Sequence, residues 1–298
     1  MPTNSERRAA AKRNLDRQVQ QRAEAARKQR RSLMIVGAVA AVLLIAGVVF
    51  VVLRDNDPGN VNASGSSGSN TSESADSADA SGAPAASAGQ LPKFTASPQL
   101  GADCQYPKAR PATKAVEPPR SGKVPTDPAE VSVSMMTDQG PIGLMLNNGQ
   151  SPCTVNSFIS LAAKDFFSGT QCHRLTTSPM LSVLQCGDPA GDGTGGPGYE
   201  FDNEYPTDQY SLGDPAAQQP VTYPRGTVAM ANAGPGTNGS QFFLVYKDSM
   251  LPPQYTVFGK IQDDGLATLD KIAAAGVQGG GDDGSPVTKV TVKSVRAD

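Results

Sequence analysis

The 298-residue chain has a single histidine, His173, and four cysteines that never fall in a Cys-x-x-Cys spacing. One histidine excludes a His-rich metal site and a two-histidine acid–base pair. Without the paired cysteines there is no familiar zinc ligand set either, so no metal is expected. No Gly-x-Ser-x-Gly elbow occurs and no carboxylate is tied to His173 by sequence context, which removes the usual support for a serine hydrolase. Nucleotide signatures fail on context. Gly193-Thr194-Gly195-Gly196-Pro197-Gly198 has the letters of GxGxxG, but Tyr199-Glu200-Phe201-Asp202 and Pro206 follow, leaving no helix N-terminus for a pyrophosphate. The run from Gly234 to Ser240 lacks the lysine a P-loop needs. Internal repeats are absent, and no cofactor is called for.

What is present is unevenly distributed. Residues 1–31 hold ten basic side chains against three acidic ones, a net +7, whereas the whole chain carries −2, so the remainder carries −9. A basic tail of this kind can bind nucleic acid, but its neighbour supplies a simpler reason for it. From Leu33 to Val52 the sequence is apolar and uncharged, closed by Leu53-Arg54, and at ~1.5 Å per residue it spans a ~30 Å hydrocarbon layer. Residues 32–53 are therefore expected to be a single transmembrane signal anchor, with the basic tail cytoplasmic, the rest in the extracytoplasmic cell envelope, and no nucleic acid bound. Leu53-Arg54-Asp55-Asn56-Asp57 is no small-residue cleavage site, which favours an uncleaved anchor. All four cysteines lie beyond it, where disulfides form. Three connectivities are open. Cys172 and Cys186 flank a predicted hairpin and could face each other, leaving Cys104 with Cys153.

Residues 54–126 read as a linker, first rich in Ser, Gly and Ala, then in Pro, with Cys104 able to pin it to the residues downstream. A folded domain is expected over 127–298. Val131-Ser132-Val133-Ser134-Met135 alternates like a half-buried strand, and Asp138-Gln139-Gly140-Pro141 turns it into a second strand, 142–146. Ser151-Pro152 supplies an N-cap and a first-turn proline for a helix over 153–166, with Val155, Phe158, Ile159 and Ala162 on one face. A second helix is predicted over 266–275, with Leu266, Leu269, Ile272 and Ala273 inward and Gly276 as its stop. Further strands are expected near 170–175, 181–186, 226–231, 241–246, 256–261 and 287–295. The fold class is mainly β: a closed antiparallel barrel of about eight strands capped by two α-helices.

The richest motif is the run from Arg225 to Phe243, where strand-like stretches flank Asn232-Ala233-Gly234-Pro235-Gly236-Thr237-Asn238-Gly239-Ser240, a shaped polar loop. Upstream lie Gly169-Thr170-Gln171-Cys172-His173-Arg174, Gln185-Cys186-Gly187-Asp188-Pro189 and Gly193 to Tyr199, and downstream Val257-Phe258-Gly259-Lys260. On a strand His173 and Arg174 point to opposite faces, and by periodicity alone Arg174 would be a solvated surface residue. These motifs, in this order over about 128–296, resemble the cyclophilin family of peptidyl-prolyl cis/trans isomerases, in particular its membrane-anchored bacterial forms. By position, the resemblance implies that Arg174 is the catalytic arginine and that Gln185, Ala231, Asn232, Gln241, Phe243 and Leu251 line the proline pocket and peptide groove. His173, the arginine's structural neighbour, is grouped with them.

The chemistry implied needs no nucleophile. Rotation about an X-Pro bond must break amide resonance, and the proline nitrogen regains a lone pair in the twisted state. A guanidinium aimed at that nitrogen stabilises the twisted amide over the planar one. The resemblance implies an isomerase that assists the folding of exported proteins, binds proline-containing polypeptides and acts as a monomer. The sequence departs from the pattern at 175–184, where the loop is about three residues longer than usual and Leu181 and Val183 are the nearest candidates for the pocket's usual phenylalanine and methionine. Tyr255 replaces a common histidine, and Met250 stands where many family members have the tryptophan that contacts cyclosporin, which argues against tight binding of that drug. The alternative these departures raise is a chaperone module that grips proline segments with weak or no isomerase activity.

Overall fold

A computed structural model describes residues 89–298. The basic tail, the predicted transmembrane segment and the Ser/Gly/Ala-rich part of the linker lie outside the described residues. Among the described residues no helix is long and apolar enough to cross a membrane. The strands, in chain order, are β1 (Gly89–Gln90), β2 (Val131–Thr137), β3 (Gly140–Leu146), β4 (Arg174–Thr176), β5 (Val183–Cys186), β6 (Val221–Tyr223), β7 (Thr227–Met230), β8 (Phe242–Val245), β9 (Ser249–Leu251), β10 (Val257–Ile261), β11 (Asp283–Gly284) and β12 (Val292–Ala297). The helices are α1 (Pro152–Ala163) and α2 (Asp263–Ala274).

Nine strands form one sheet in the order β11-β4-β5-β8-β7-β10-β3-β2-β12, antiparallel throughout. It is a half-barrel with two helices, and its order ends at β11 and β12 where a closed barrel of about eight strands was expected. Between those ends run the bridge Gln171↔Thr291 and the bonds from Gly169 and Cys172 amides to the Val292 and Val290 carbonyls. The hairpin of β2 and β3 closes through Thr137, whose hydroxyl donates to the Gly140 carbonyl and accepts from the Gln139 amide.

Alternation across the strands builds two apolar clusters. Leu184 and Cys186 of β5, Val228 and Met230 of β7, and Phe242 and Leu244 of β8 face the main core. Their neighbours Val183, Ala229, Phe243 and Val245 enter a second cluster on the opposite face. Because both faces are covered, β7 and β8 are buried at every position and read as continuous apolar runs. In the main core Phe158 of α1 lies 5.0 Å from Phe167 and 5.3 Å from both Phe242 and Phe258, ring centre to ring centre, a spacing at which edge and tilted contacts are favourable.

The helices differ from expectation at their ends. Pro152 does open α1, but Ser151 makes no cap bond; its hydroxyl donates to the Val257 carbonyl instead. The cap comes from 50 residues downstream: Glu204 accepts from the Cys153 amide at 2.9 Å, the Thr154 amide at 2.8 Å and the Thr154 hydroxyl at 2.7 Å. Burial pushes the Glu204 carboxyl up to about 7, while these three donors pull it back. α1 stops at Ala163, before the expected 166, because Asp165 turns left-handed at φ 53° and carries Phe166 and Phe167 into the core. α2 begins at Asp263, earlier than expected, with two acidic residues in the first turn where the helix dipole favours them. Gly276, at φ 78°, follows its end as predicted.

Both disulfides join as the hairpin layout favoured, Cys172 with Cys186 and Cys104 with Cys153. The second draws the Pro-rich segment onto the domain. Cys104, Tyr106 and Val124 are buried in the main core, and Tyr106 donates to the Cys153 carbonyl at 2.7 Å. A second, three-stranded sheet, β1-β6-β9, was not foreseen; β1 pairs parallel with β6, and Tyr205 donates to the Pro92 carbonyl beside it.

Glu204→Ala removes all three cap hydrogen bonds at once. The unfolding free energy is expected to drop by about 2 kcal/mol, measured by urea denaturation followed by circular dichroism; an unchanged midpoint would show that α1 needs no cap in trans.

Candidate active site

The second cluster opens beside a polar strip. Val183, Ala231, Phe243, Leu251, Tyr255 and Leu181 pack together, with the Phe243 ring edge-on to Tyr255 at 5.8 Å. Phe243 is only 5% exposed, held from behind by Tyr223, whose hydroxyl donates to the Pro252 and Tyr255 carbonyls. The long 175–184 loop folds as an extension of the β4–β5 hairpin. Ser178 pairs with Leu181, and the Thr176 hydroxyl accepts from the Val183 amide at 3.1 Å. That geometry sets Val183 and Leu181, the nearest candidates in the sequence, into the apolar cluster.

Arg174 and Gln185 are direct partners across β4 and β5, and Gln185 is the partner of Phe243 across β5 and β8. This register lines up a chain of hydrogen bonds. Arg174 Nη1 donates to Gln185 Oε1 at 3.2 Å, Gln185 Nε2 to Gln241 Oε1 at 2.9 Å, and Gln241 Nε2 to the Gly193 and Gly195 carbonyls at 3.0 Å each. The 232–240 loop is ordered from within. Buried Asn238 donates to the Phe201 carbonyl and to Asn203, while Asn232 donates to the Gln254 carbonyl at 2.9 Å and accepts from the Gly234 amide at 3.1 Å. A cleft beside Gln185 and Gln241 is walled by residues 193–200 and 231–233 and, from the Pro-rich segment, by residues 109–111. Sequence reasoning missed that last wall, since nothing in a Pro-rich run announces what it packs against.

Arg174 also holds a carboxylate that no motif singled out. Its Nε and Nη2 donate to the two oxygens of Asp283, each at 2.7 Å. The bond and the charge of Arg174 hold the Asp283 carboxyl below the usual carboxylate range, and Asp283 raises the guanidinium in turn. Asp283 sits in a run of Gly279-Gly280-Gly281-Asp282-Asp283-Gly284, which carries no sequence signal for a site.

His173 stands apart from the other candidates. It points away from Arg174, toward Gly193 and the charges of Asp188 and Asp192, and burial lowers its pKa. Its Nδ1 is buried without a hydrogen-bond partner among the described residues. Among those residues no cluster of His, Cys, Asp and Glu could hold a metal.

Fold and site together define a mainly β protein whose half-barrel carries an arginine-headed polar strip beside an aromatic pocket. The model of the family described as cyclophilin type peptidyl-prolyl cis-trans isomerase matches residues 132–297. A probable peptidyl-prolyl cis-trans isomerase B of Mycobacterium leprae is 62% identical over 299 residues, covering 100% of both chains. Its counterpart from Mycobacterium tuberculosis is 71% identical over 213 residues, 71% of this chain and 69% of that one. A crystal structure of a Cryptosporidium parvum cyclophilin type isomerase aligns with 57% of this chain and 98% of its own, at 28% identity and a TM-score of 0.45. The chain belongs to the cyclophilin-type peptidyl-prolyl cis-trans isomerase family.

The lowered pKa of His173 gives a signed pH effect. Between pH 6.5, its ordinary value, and the lower folded value, the unfolded chain holds a proton that the folded protein does not. This contribution to stability is complete above pH 6.5 and is lost as pH falls through the folded pKa. Urea midpoints measured from pH 7.5 to 5 should therefore decline less steeply in His173→Asn than in the wild type.

Proposed function

We propose that the protein accelerates cis–trans rotation about X-Pro peptide bonds, with Arg174 as the catalytic group. The observation that carries the reading is the convergence of Arg174, Gln185 and Gln241 in one hydrogen-bonded strip beside the pocket of Phe243, Val183, Leu251 and Tyr255. The apolar pocket takes the proline ring. Arg174 donates to the proline nitrogen as it becomes pyramidal, and the Asn232 main chain with the Gln185 and Gln241 amides fixes the moving carbonyl. A charge-assisted hydrogen bond contributes ~1.5 to 3 kcal/mol, on the order of 10 to 150-fold in rate at ~1.4 kcal/mol per decade. Orientation in the preorganised groove supplies the rest. No bond is made or broken, so the reaction needs neither metal nor nucleophile.

The same reading assigns the domain organisation. Residues 1–31 are a cytoplasmic basic tail, 32–53 a single-pass anchor, and the Ser/Gly/Ala-rich stretch from 54 a spacer to the isomerase domain, whose half-barrel curls toward closure between β11 and β12. The domain works outside the cytoplasm on exported polypeptides, as a monomer. Two disulfides support that side of the membrane, since such bonds persist in oxidising compartments. Protease added to intact cells should degrade the domain and spare residues 1–31.

The catalytic assignment is tested with the full-length protein and a short X-Pro peptide in a cis-to-trans relaxation assay. Arg174→Ala is expected to lose on the order of 10 to 150-fold in kcat/KM with its melting temperature retained; an unchanged rate would remove Arg174 from catalysis.

A further inference from the structure

Asp283 meets Arg174 in a way that the isomerase reading does not use. β11 pairs with β4 so that Asp283 is opposite Thr176 and Gly284 opposite Leu175, and the Thr177 amide donates to the Asp282 carbonyl at 2.8 Å. This short ladder sets Asp283 diagonally across from Arg174, within reach of a long side chain. The contact is bidentate, two bonds of 2.7 Å that match a guanidinium fork to a carboxylate. Yet the arginine side chain is 38% and the aspartate 50% exposed, and exposed ion pairs add little to stability. A half-exposed pair with this geometry is better accounted for by what it does to the arginine.

A guanidinium has five N–H donors. Asp283 takes one on Nε and one on Nη2, and Gln185 takes one on Nη1. That leaves one on Nη1 and one on Nη2 free of protein partners among the described residues. Resting on the assignment of Arg174 made above, we propose that Asp283 is a positioning residue that holds the guanidinium in one rotamer with those two donors directed to the substrate. Without it the side chain regains rotamer freedom, and that entropy must be lost again each time the twisted amide is stabilised.

The test compares the full-length wild type, Asp283→Asn, Arg174→Ala and the double variant, using an uncharged X-Pro peptide at ~10 mM and ~1 M salt, between which the Debye length contracts from ~30 to ~3 Å. Asp283→Asn, which keeps the shape but loses the charge and one acceptor, is expected to lower kcat/KM by about tenfold, within the entropy of one arginine side chain, with its melting temperature retained. The wild type should slow by about threefold at high salt as the pair is screened, and Asp283→Asn should not. In the Arg174→Ala background Asp283→Asn should have no further effect. Wild-type or faster turnover in Asp283→Asn, or an equal loss in both backgrounds, would overturn the proposal. Full activity in Arg174→Ala would overturn the catalytic assignment itself, and the proposal with it.

Discussion

Everything in this molecule depends on strands that are buried on both faces. β5, β7 and β8 send Leu184, Val228, Met230, Phe242 and Leu244 into the main core and Val183, Ala229, Phe243 and Val245 to the opposite side. Successive side chains of a strand must point to opposite faces, so the residues that hold the sheet to α1 and those that shape the pocket are locked to each other. A slip of one residue would exchange the two sets. The pocket is thus as rigid as the core behind it.

The polar strip draws its order from the same register. Arg174 opposite Gln185, and Gln185 opposite Phe243, follow from strand pairing alone. The hydrogen bonds then extend the order beyond the sheet, through Gln241 to the carbonyls of Gly193 and Gly195. A donor aimed by such a chain has little reorganisation left to do, which is the property that makes an electrostatic contribution large in a groove.

The segments outside the sheet act as braces. Cys104–Cys153 closes a loop of 49 residues, for which chain-entropy reasoning gives on the order of 4 kcal/mol, and it fixes the Pro-rich segment where residues 109–111 complete the cleft wall. Glu204 ties the start of α1 to the chain beyond the glycine-rich loop. Each brace joins distant parts of the sequence; the cysteines gave a cue to the first, and the Glu204 cap had none in local sequence. Ser151 had the right identity for an N-cap, but its hydroxyl found a better-placed carbonyl in Val257. Asp165 carried no mark of a left-handed turn, yet the burial of Phe166 and Phe167 requires one and ends α1 early.

What the sequence determined was whatever rests on periodicity and contiguous motif. The alternation of β2, the turn at Asp138-Gln139, the inward face of α1, the stop at Gly276 and the groove strands of the Arg225–Phe243 run are all local, and all were legible. Of the residues singled out in the sequence, Leu181, Val183, Ala231, Phe243, Leu251 and Tyr255 share one apolar cluster. Tertiary structure decided the placements that depend on a partner far along the chain: the cap from Glu204, the small sheet of β1, β6 and β9, the wall from 109–111, and the clasp of Asp283 on Arg174. Periodicity reports which face a side chain takes. Only the closing of the fold determines what it finds there.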